Sequence, residues 1–136
     1  MVYLVRHKLL NVYRAAKIVM KTCDDYERIL READMIKNLK CPGIPVVFDI
    51  EDNNDSICII EEYISGKSLT EYISEAGCIT AHDMADIGIR ICDIISYLHE
   101  CAGIVHLDIK PSNIIIRDNS DGKREVFIID FDNSDM

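Results

Sequence analysis

The sequence predicts an α+β fold, with a small antiparallel-sheet lobe that carries one helix and a partial second lobe that is mostly helical. Three observations predict it. β-Branched and aromatic residues form four short runs within residues 1–64, as expected of strands. Apolar residues recur at helical spacing once among those runs and again after residue 80. Two further apolar runs flank a polar turn near the end of the chain.

Four strands are predicted in the first lobe, two before its helix and two after it. A short turn at residues 8–11 joins the first pair, and a polar turn at residues 51–55 joins the second pair. Val, Ile and Tyr, which favour strands, are frequent in these runs. The strands are predicted at residues 2–6, 12–20, 44–50 and 57–61.

The helix of the first lobe is predicted between the two strand pairs and spans about four turns. Asp24 and Asp25 are its candidate caps, because carboxylates are favoured where a helix begins. The Cys-Pro-Gly stretch at residues 41–43 ends it. Its apolar residues at helical spacing are Ile29, Ala33 and Ile36.

Two helices and a hairpin are predicted after Gly66, the candidate boundary between the lobes. A short helix at residues 68–75 opens on a Ser cap and closes at Gly77. A long helix opens at Thr80 and ends near residues 102–103. Its predicted core-facing residues are Met84, Ile87, Ile91, Ile94 or Ile95, and Leu98. The hairpin strands are predicted at residues 114–117 and 126–129, and the two lobes at residues 1–64 and 65–136.

The composition is that of an ordinary globular protein. The chain has 136 residues, of which 49% are apolar and 29% charged, enough for a domain with its own core. Its net charge of −9 argues against nucleic acid and against anionic membranes as partners, since both attract basic surfaces.

Cysteine usage predicts a reducing compartment. The six cysteines form no C-x-x-C pair and no spacing typical of a zinc site. The N-terminus lacks the pattern of a signal peptide, and no apolar run approaches the ~20 residues that span a bilayer. We therefore expect a cytoplasmic protein whose thiols are free and act mostly as small buried hydrophobic groups.

Residues 106–113 (His-Leu-Asp-Ile-Lys-Pro-Ser-Asn) are the most informative part of the chain. They bring Asp108, Lys110 and Asn113 into one tight loop, and Asp130 follows at the end of an apolar run. Phosphoryl transfer from ATP needs such a set: a carboxylate that accepts a hydroxyl proton, a cation on the phosphate, and oxygen ligands for magnesium. The alternative is a polar loop whose Asp and Asn bond to nearby backbone groups.

At these residues the chain resembles the eukaryotic-type (Hanks-type) serine/threonine protein kinase domain, whose motifs read H-R-D-x-K-x-x-N and D-F-G. The resemblance implies that Asp108 is the catalytic base and that Lys110 contacts the transferred phosphate. It also implies that Asn113 and Asp130 bind Mg²⁺ and that ATP is the phosphate donor. A Lys at position 110 points to protein Ser/Thr hydroxyls as the acceptors.

The resemblance also assigns a clamp for the ATP phosphates. Residues 15–18 (Ala-Ala-Lys-Ile) are similar to the family's V-A-I-K strand, whose Lys contacts the α- and β-phosphates. In the family this Lys pairs with a helix Glu, for which Glu32 is the best match and Glu27 the alternative. Taken alone, Lys17 would be a solvated strand lysine and Glu32 a surface residue.

Residues 61–64 (Glu-Glu-Tyr-Ile) resemble the connector between the lobes of the family. The family binds adenine there through backbone groups, which implies the carbonyl of Glu62 and the amide of Ile64. Glu61 falls where the family usually has an apolar residue or Thr. Because a buried carboxylate is costly unless it is paired, we hypothesise that Glu61 pairs with Lys17 in competition with Glu32.

The chain departs from the family pattern at several points. Asp132 replaces the Gly of D-F-G, and Leu107 replaces the Arg of the catalytic loop. Residues 1–5 match the part just after the family's Gly-rich loop, so the sequence lacks that loop, and it stops a few residues after Asp132. We therefore expect weaker ATP binding than in a whole family domain.

Two functions from different classes are predicted. The first is a serine/threonine protein kinase that transfers the ATP γ-phosphate to a protein hydroxyl. The second is a catalytically inactive, truncated kinase that binds nucleotide or a protein partner. Ile89, Cys92 and Ile95 lie on a second face of the long helix. We expect this face to be exposed without the family's later helices, and an exposed apolar face favours a homo-oligomer or a partner.

Overall fold

This computed structural model describes residues 2–22, 24, 26–37, 41–103 and 109–129. Within these ranges, the side chains of four residues are not described: Glu32, Met35, Ile36 and Ala102. The chain divides into two compact units. The first holds the described residues up to 37 together with Pro45–Tyr63, and the second holds Cys41–Ile44 and residues 64–129. Strands and helices occur in both, so the α+β prediction is confirmed.

The first unit is a four-stranded antiparallel sheet with one helix. Its elements are β1 (Val2–His7), β2 (Val12–Met20), α1 (Tyr26–Lys37), β3 (Val47–Asp52) and β4 (Ser56–Glu62). The spatial order of the strands is β1-β2-β4-β3. All four predicted strands are confirmed, but β3 begins three residues later than expected and continues through Glu51 and Asp52. The strand ends later than predicted because Glu51 and Asp52 pair with Cys58 and Ile57 of β4. It begins later than predicted because Pro45 has no amide hydrogen to donate to a neighbouring strand.

Helix α1 packs its apolar positions inward. Ile29 is 2% exposed and Ala33 is also buried, in agreement with their helical spacing in the sequence. The helix is described over 12 residues. Residues 38–40 lie outside the described ranges, so the predicted length of about four turns stays a prediction. Ile36 has no described side chain, and the candidate cap Asp25 lies outside the described residues.

The second unit contains two helices beside a three-stranded antiparallel sheet. Its elements are β5 (Lys67–Ser68), α2 (Leu69–Ala76), α3 (Ala81–Tyr97), β6 (Ile114–Asp118) and β7 (Arg124–Ile128). The strand order is β5-β6-β7. A π-helical turn at Leu98–Ala102 follows α3, and a 3-10 turn at Pro111–Asn113 precedes β6. The two-residue strand β5 was not predicted, because a strand this short has no periodicity to read.

Both helices of this unit begin as the sequence predicted, and α2 also ends as predicted. Helix α3 ends at Tyr97, and the π-helical turn that follows it reaches the predicted end near residues 102–103. The Ser68 hydroxyl accepts a hydrogen bond from the Glu71 amide, and the Thr80 hydroxyl accepts one from the Asp83 amide, both at 3.1 Å. Each cap satisfies an amide that has no partner within its own helix. Gly77 closes α2 by donating its amide to the carbonyl of Ile73 at 3.0 Å.

The core of the second unit lies between the helices and the β6–β7 hairpin. Its buried cluster comprises Leu69, Ile87, Ile114, Ile116 and Val126. The alternative between Ile94 and Ile95 is resolved, since Ile94 is 5% exposed and Ile95 only half-buried. The prediction for Met84 was wrong, because this side chain is 41% exposed. Asp83, one turn before Ile87, contacts β7 instead, where it accepts a hydrogen bond from Arg124.

That bond belongs to a polar cluster centred on Arg124 of β7. Its guanidinium donates to Asp86 at 2.9 Å, to Asp83 at 3.3 Å and to the Tyr72 hydroxyl at 3.2 Å. The Arg124 side chain is 17% exposed, so these charge-assisted bonds are partly shielded from water. The cluster joins α2, α3 and the hairpin at one point.

The Arg124 cluster predicts a pH-dependent stability. Partial burial acts to raise the pKa of Asp86, but hydrogen bonds from Arg124 and Arg90 outweigh it and hold that pKa below its usual value. A lowered folded-state pKa stabilises the protein above the unfolded pKa of about 3.9, and the gain is lost as the pH falls through the folded pKa. Asp86→Asn should therefore lower the urea midpoint at pH 7, and the gap should shrink toward pH 3.

The control for this experiment is Asp93→Asn, which neutralises an exposed carboxylate on the same helix. It should leave the urea midpoint at pH 7 almost unchanged. A gap between wild type and Asp86→Asn that stays constant from pH 7 to pH 3 would contradict the role given to the Asp86 carboxylate.

Gly43 connects the segment Cys41–Ile44 to the end of β7 through a backbone hydrogen bond. Its carbonyl accepts a hydrogen bond from the Ile128 amide at 2.8 Å, and its φ is +96°. A Cβ at this position would lie 2.5 Å from Cδ1 of Ile94 and 3.0 Å from the Val126 carbonyl oxygen. Position 43 therefore requires glycine for its backbone conformation and for the close approach of α3.

Gly43→Ala should destabilise the fold by about 1–3 kcal/mol, because it adds a steric clash to backbone strain. Urea denaturation measures the loss. The matched control is Gly77→Ala, which also has positive φ but whose Cβ would meet nothing within 4 Å. If both variants lost the same free energy of unfolding, the close packing around Gly43 would contribute nothing to stability beyond the backbone strain.

Candidate active site

Lys17 on β2 is 4% exposed, although it carries a charge. It is paired in register with Ile59 of β4, which is 2% exposed. Burying an ammonium group is costly unless other groups compensate for the lost water. The burial rules out the alternative that Lys17 is an ordinary solvated strand lysine.

Glu61 lies close enough in the sheet to reach Lys17. Ala15 pairs with Glu61 and Lys17 pairs with Ile59, so Lys17 and Glu61 are diagonal neighbours on one sheet face, about 7–8 Å apart at their backbones. Two long side chains can meet over that distance, so the register is compatible with the Lys17–Glu61 hypothesis. Glu32 belongs to α1, but its side chain is not described. The predicted Lys17–Glu32 pair stays a prediction.

Glu62 and Ile64 occupy the end of the first unit and the start of the second. The Glu62 amide donates to the Val46 carbonyl at 2.7 Å, and its carboxylate accepts from the Val46 amide at 3.2 Å. These two bonds hold the end of β4 in place. Ile64 is 8% exposed and belongs to a second apolar cluster with Ile115 and Phe127. The expected adenine contacts of Glu62 and Ile64 stay a prediction.

Residues 109–113 are the described end of the catalytic-type motif, which spans residues 106–113, and their backbone has a defined conformation. Lys110 is extended, with φ −145° and ψ 157°, and is half-buried. Its carbonyl accepts a hydrogen bond from the Asn113 amide at 2.9 Å, which closes the 3-10 turn. This turn was not predicted from the sequence, although Pro111 at its first position is a favourable start for a helical turn.

Asn113 is the best-defined member of the candidate site. It is 8% exposed, and its carbonyl accepts a hydrogen bond from the Ile129 amide at 2.9 Å. Ile114 pairs with Ile128 in the adjacent ladder, so this bond continues the β6–β7 pairing by one step. Asn113 is therefore held beside Ile129, the residue that directly precedes Asp130 in the sequence.

Six residues of the predicted motifs lie outside the described residues: His106, Leu107, Asp108, Asp130, Phe131 and Asp132. Among the residues that are described, no group of three or more His, Cys, Asp or Glu side chains is arranged to hold a metal ion. The expected Mg²⁺ ligands were one amide and one carboxylate, and the carboxylate is that of Asp130. The metal site stays a prediction.

The second face of α3 is partly exposed. Ile89 is 62% exposed and Cys92 is also exposed, whereas Ile95 is half-buried. Association through this helix face stays a prediction.

Within the described ranges, none of the helices combines the length and the apolar content needed to cross a membrane.

Comparison with known proteins shows the family of the chain. The sequence profile of the protein kinase domain matches residues 1–136. The probable serine/threonine-protein kinase CPE1738 of Clostridium perfringens is 34% identical over 119 residues, which cover 85% of this chain and 17% of that protein. Myosin light chain kinase A of Dictyostelium discoideum is 31% identical over 96% of this chain and 44% of its own length.

A solved structure supports the same assignment. The crystal structure of Rad53 in complex with AMP-PNP superimposes with a TM-score of 0.81 and 27% identity, covering 96% of this chain and 34% of that one. The chain thus spans less than half the length of the relatives described above. Both the kinase-like α+β fold and the family predicted from the motifs are confirmed, and the chain belongs to the protein kinase domain family.

Proposed function

We propose that this chain carries the ATP site and the catalytic loop of a serine/threonine protein kinase. The reaction is transfer of the γ-phosphate of ATP to a Ser or Thr hydroxyl of a protein. The observation that carries the proposal is the hydrogen bond between the Asn113 carbonyl and the Ile129 amide. It holds the end of the catalytic-type motif against the segment that leads into Asp130, as a shared metal site requires.

The similarity to named kinases supports ATP as the phosphate donor. The relatives include serine/threonine-protein kinases, and the Rad53 structure contains AMP-PNP, an analogue of ATP. In such reactions the protein positions the reactants and stabilises the charge on the phosphate, with little covalent chemistry of its own. The proposal therefore depends on where a few charged and polar groups lie.

Asp108 is assigned as the base that accepts the hydroxyl proton, and Lys110 as the cation that stabilises the transferred phosphate. As the hydroxyl oxygen bonds to the γ-phosphorus, Asp108 accepts the hydroxyl proton, and the bond from that phosphorus to the β–γ bridging oxygen breaks to release ADP. The ammonium group of Lys110 stabilises the charge on the transferred phosphate. Lys110 has an extended backbone and directly precedes the 3-10 turn.

Asn113 and Asp130 are assigned to Mg²⁺. An amide oxygen and a carboxylate are hard donors of the kind that Mg²⁺ prefers. When bound, Mg²⁺ neutralises charge on the β- and γ-phosphates. The burial of Asn113 restricts its side chain to few rotamers, so its amide is oriented before any ligand arrives.

Lys17 is assigned to the α- and β-phosphates. Its burial at 4% exposure means that the ammonium group is not free to move as a surface lysine is. A cation held in this way attracts phosphate more strongly than a solvated one, because fewer water molecules screen its charge. Glu32 is assigned as its partner, with Glu61 as the competitor that the sheet register allows.

Asp108→Asn should lower the rate of phosphate transfer to a generic acceptor such as casein by about 10²–10⁴-fold, because the general base is lost. Calorimetry should show that ATP affinity is retained. Transfer from radiolabelled ATP in the presence of Mg²⁺ measures the rate. The matched control is Asp118→Asn at an exposed carboxylate of β6, which should transfer phosphate at the wild-type rate.

Equal rates in Asp108→Asn and in the wild type would refute the catalytic assignment. A wild-type chain that binds ATP with Mg²⁺ but transfers no phosphate would instead identify a nucleotide-binding module without turnover.

A further inference from the structure

The turn between β1 and β2 exposes two adjacent leucines. Leu9 is 91% exposed and Leu10 is 63% exposed. A single exposed leucine is ordinary on a protein surface, but two neighbours in one turn form an apolar protrusion that water solvates poorly. The assigned ATP site and catalytic loop use neither residue.

The backbone of this turn has a defined conformation. The Asn11 amide donates a hydrogen bond to the His7 carbonyl at 2.8 Å, and the Leu10 amide donates one to Nδ1 of His7 at 3.1 Å. Asn11 has a φ of +52°, a left-handed conformation that Asn adopts more readily than most residues. The two leucines are therefore held in an exposed position before any partner arrives, which lowers the entropy lost on binding.

The turn projects from the sheet of the first unit. β1 pairs with β2 as far as the pair formed by His7 and Val12, whereas β4 pairs with β2 only from Arg14 onward. Residues 6–13, the hairpin tip, therefore extend beyond the end of the β2–β4 ladder. A projecting tip can enter a soft surface without a matching pocket in the partner.

The charge near the hairpin tip is positive, although the chain as a whole is acidic. Residues 1–23 contain five Lys and Arg and no Asp or Glu, whereas the whole chain has a net charge of −9. Lys8 precedes the leucines, and Arg6 pairs with Tyr13 across the hairpin. All three side chains are exposed.

This uneven distribution matters because exposed charges are screened beyond about 8 Å at physiological ionic strength. A surface that meets the hairpin tip interacts mainly with Arg6 and Lys8, and much less with the acidic groups elsewhere in the chain. The negative net charge, which argued against an anionic membrane for the chain as a whole, therefore does not decide what binds at this tip.

We propose that the hairpin tip binds the surface of an anionic lipid bilayer. Leu9 and Leu10 enter the boundary between headgroups and acyl chains, and Lys8 and Arg6 contact lipid phosphates. Tyr13 lies at the level of the headgroups, where Tyr is enriched in membrane proteins. Apolar insertion and attraction to anionic lipids together give peripheral proteins their membrane affinity.

A bilayer fits the hairpin tip better than an acidic protein does. The leucines protrude, and a bilayer buries a protruding side chain from all sides, whereas a protein partner needs a pocket of matching shape. The cations beside the leucines suit a surface of uniform negative charge, such as one rich in phosphatidylserine.

Co-flotation of the whole chain with lipid vesicles tests the proposal. The wild type should float with vesicles of equal parts phosphatidylcholine and phosphatidylserine, and should not float with phosphatidylcholine alone. Changing Leu9→Ser and Leu10→Ser together should lower the affinity for the anionic vesicles by about tenfold or more, because the apolar insertion is lost. Lys8→Glu should lower it by about tenfold, because it reverses a charge at the membrane surface.

Two matched controls change the same chemistry elsewhere. Ile89→Ser removes a side chain of α3 that is 62% exposed, and Lys123→Glu reverses an exposed charge before β7. Both variants should float with the anionic vesicles as the wild type does.

A second measurement reports the depth of insertion. The chain contains no Trp, so the fluorescence of Leu9→Trp comes from the hairpin tip alone. Its emission should shift to the blue with anionic vesicles and should be quenched by lipids brominated on their acyl chains. Ile89→Trp is the control and should show neither change.

Three results would overturn the proposal. These are the absence of binding to the anionic vesicles, equal binding by the wild type and the double Ser variant, and binding of Leu9→Trp without quenching by the brominated lipids. Soluble polyglutamate that binds the wild type as tightly as the anionic vesicles do would also overturn it, and would indicate an acidic protein as the partner.

Discussion

The hydrogen bond from the Ile129 amide to the Asn113 carbonyl is the constraint on which the second unit's candidate site depends. It extends the ladder between β6 and β7 by one residue, so the motif that ends at Asn113 and the segment before Asp130 cannot separate without losing sheet pairing. Asn113 and Ile129 are sixteen residues apart in the sequence, and this hydrogen bond shows that they are in direct contact in the fold. This arrangement is compatible with the proposed pairing of Asn113 and Asp130 at one Mg²⁺ ion, which stays a prediction from the family motifs.

The packing beneath the hairpin keeps that bond in register. Ile114, Ile116 and Val126 are buried against α2 and α3, and the Arg124 cluster ties the start of β7 to both helices. Gly43 adds a backbone contact at the opposite end of β7 through Ile128. Apolar burial and polar contacts therefore hold both ends of β7. This short strand needs such support because the pairing of two strands alone is only marginally stable.

Most of the fold could be predicted from local patterns, because its strands and helices carry strong signals. Capping at Ser68 and Thr80 and the runs of β-branched residues are properties of neighbouring residues, and sequence reasoning located them. The burial of Lys17, the exposure of Met84 and the pairing of β5 depend on residues distant in the chain, which no local pattern contains. The site residues were predictable only through their motif, since spacing alone does not tell a catalytic Asp from a turn Asp.

Calorimetric titration of the chain with ATP, with and without Mg²⁺, tests the central claim most directly. The account predicts Mg²⁺-dependent binding that is lost in Lys17→Met, because the buried ammonium group is the assigned phosphate contact. Binding should persist in Lys21→Met, which removes a partly exposed lysine that pairs with Asp52. Binding that is equal in Lys17→Met and the wild type, or absent up to millimolar ATP, would contradict the account.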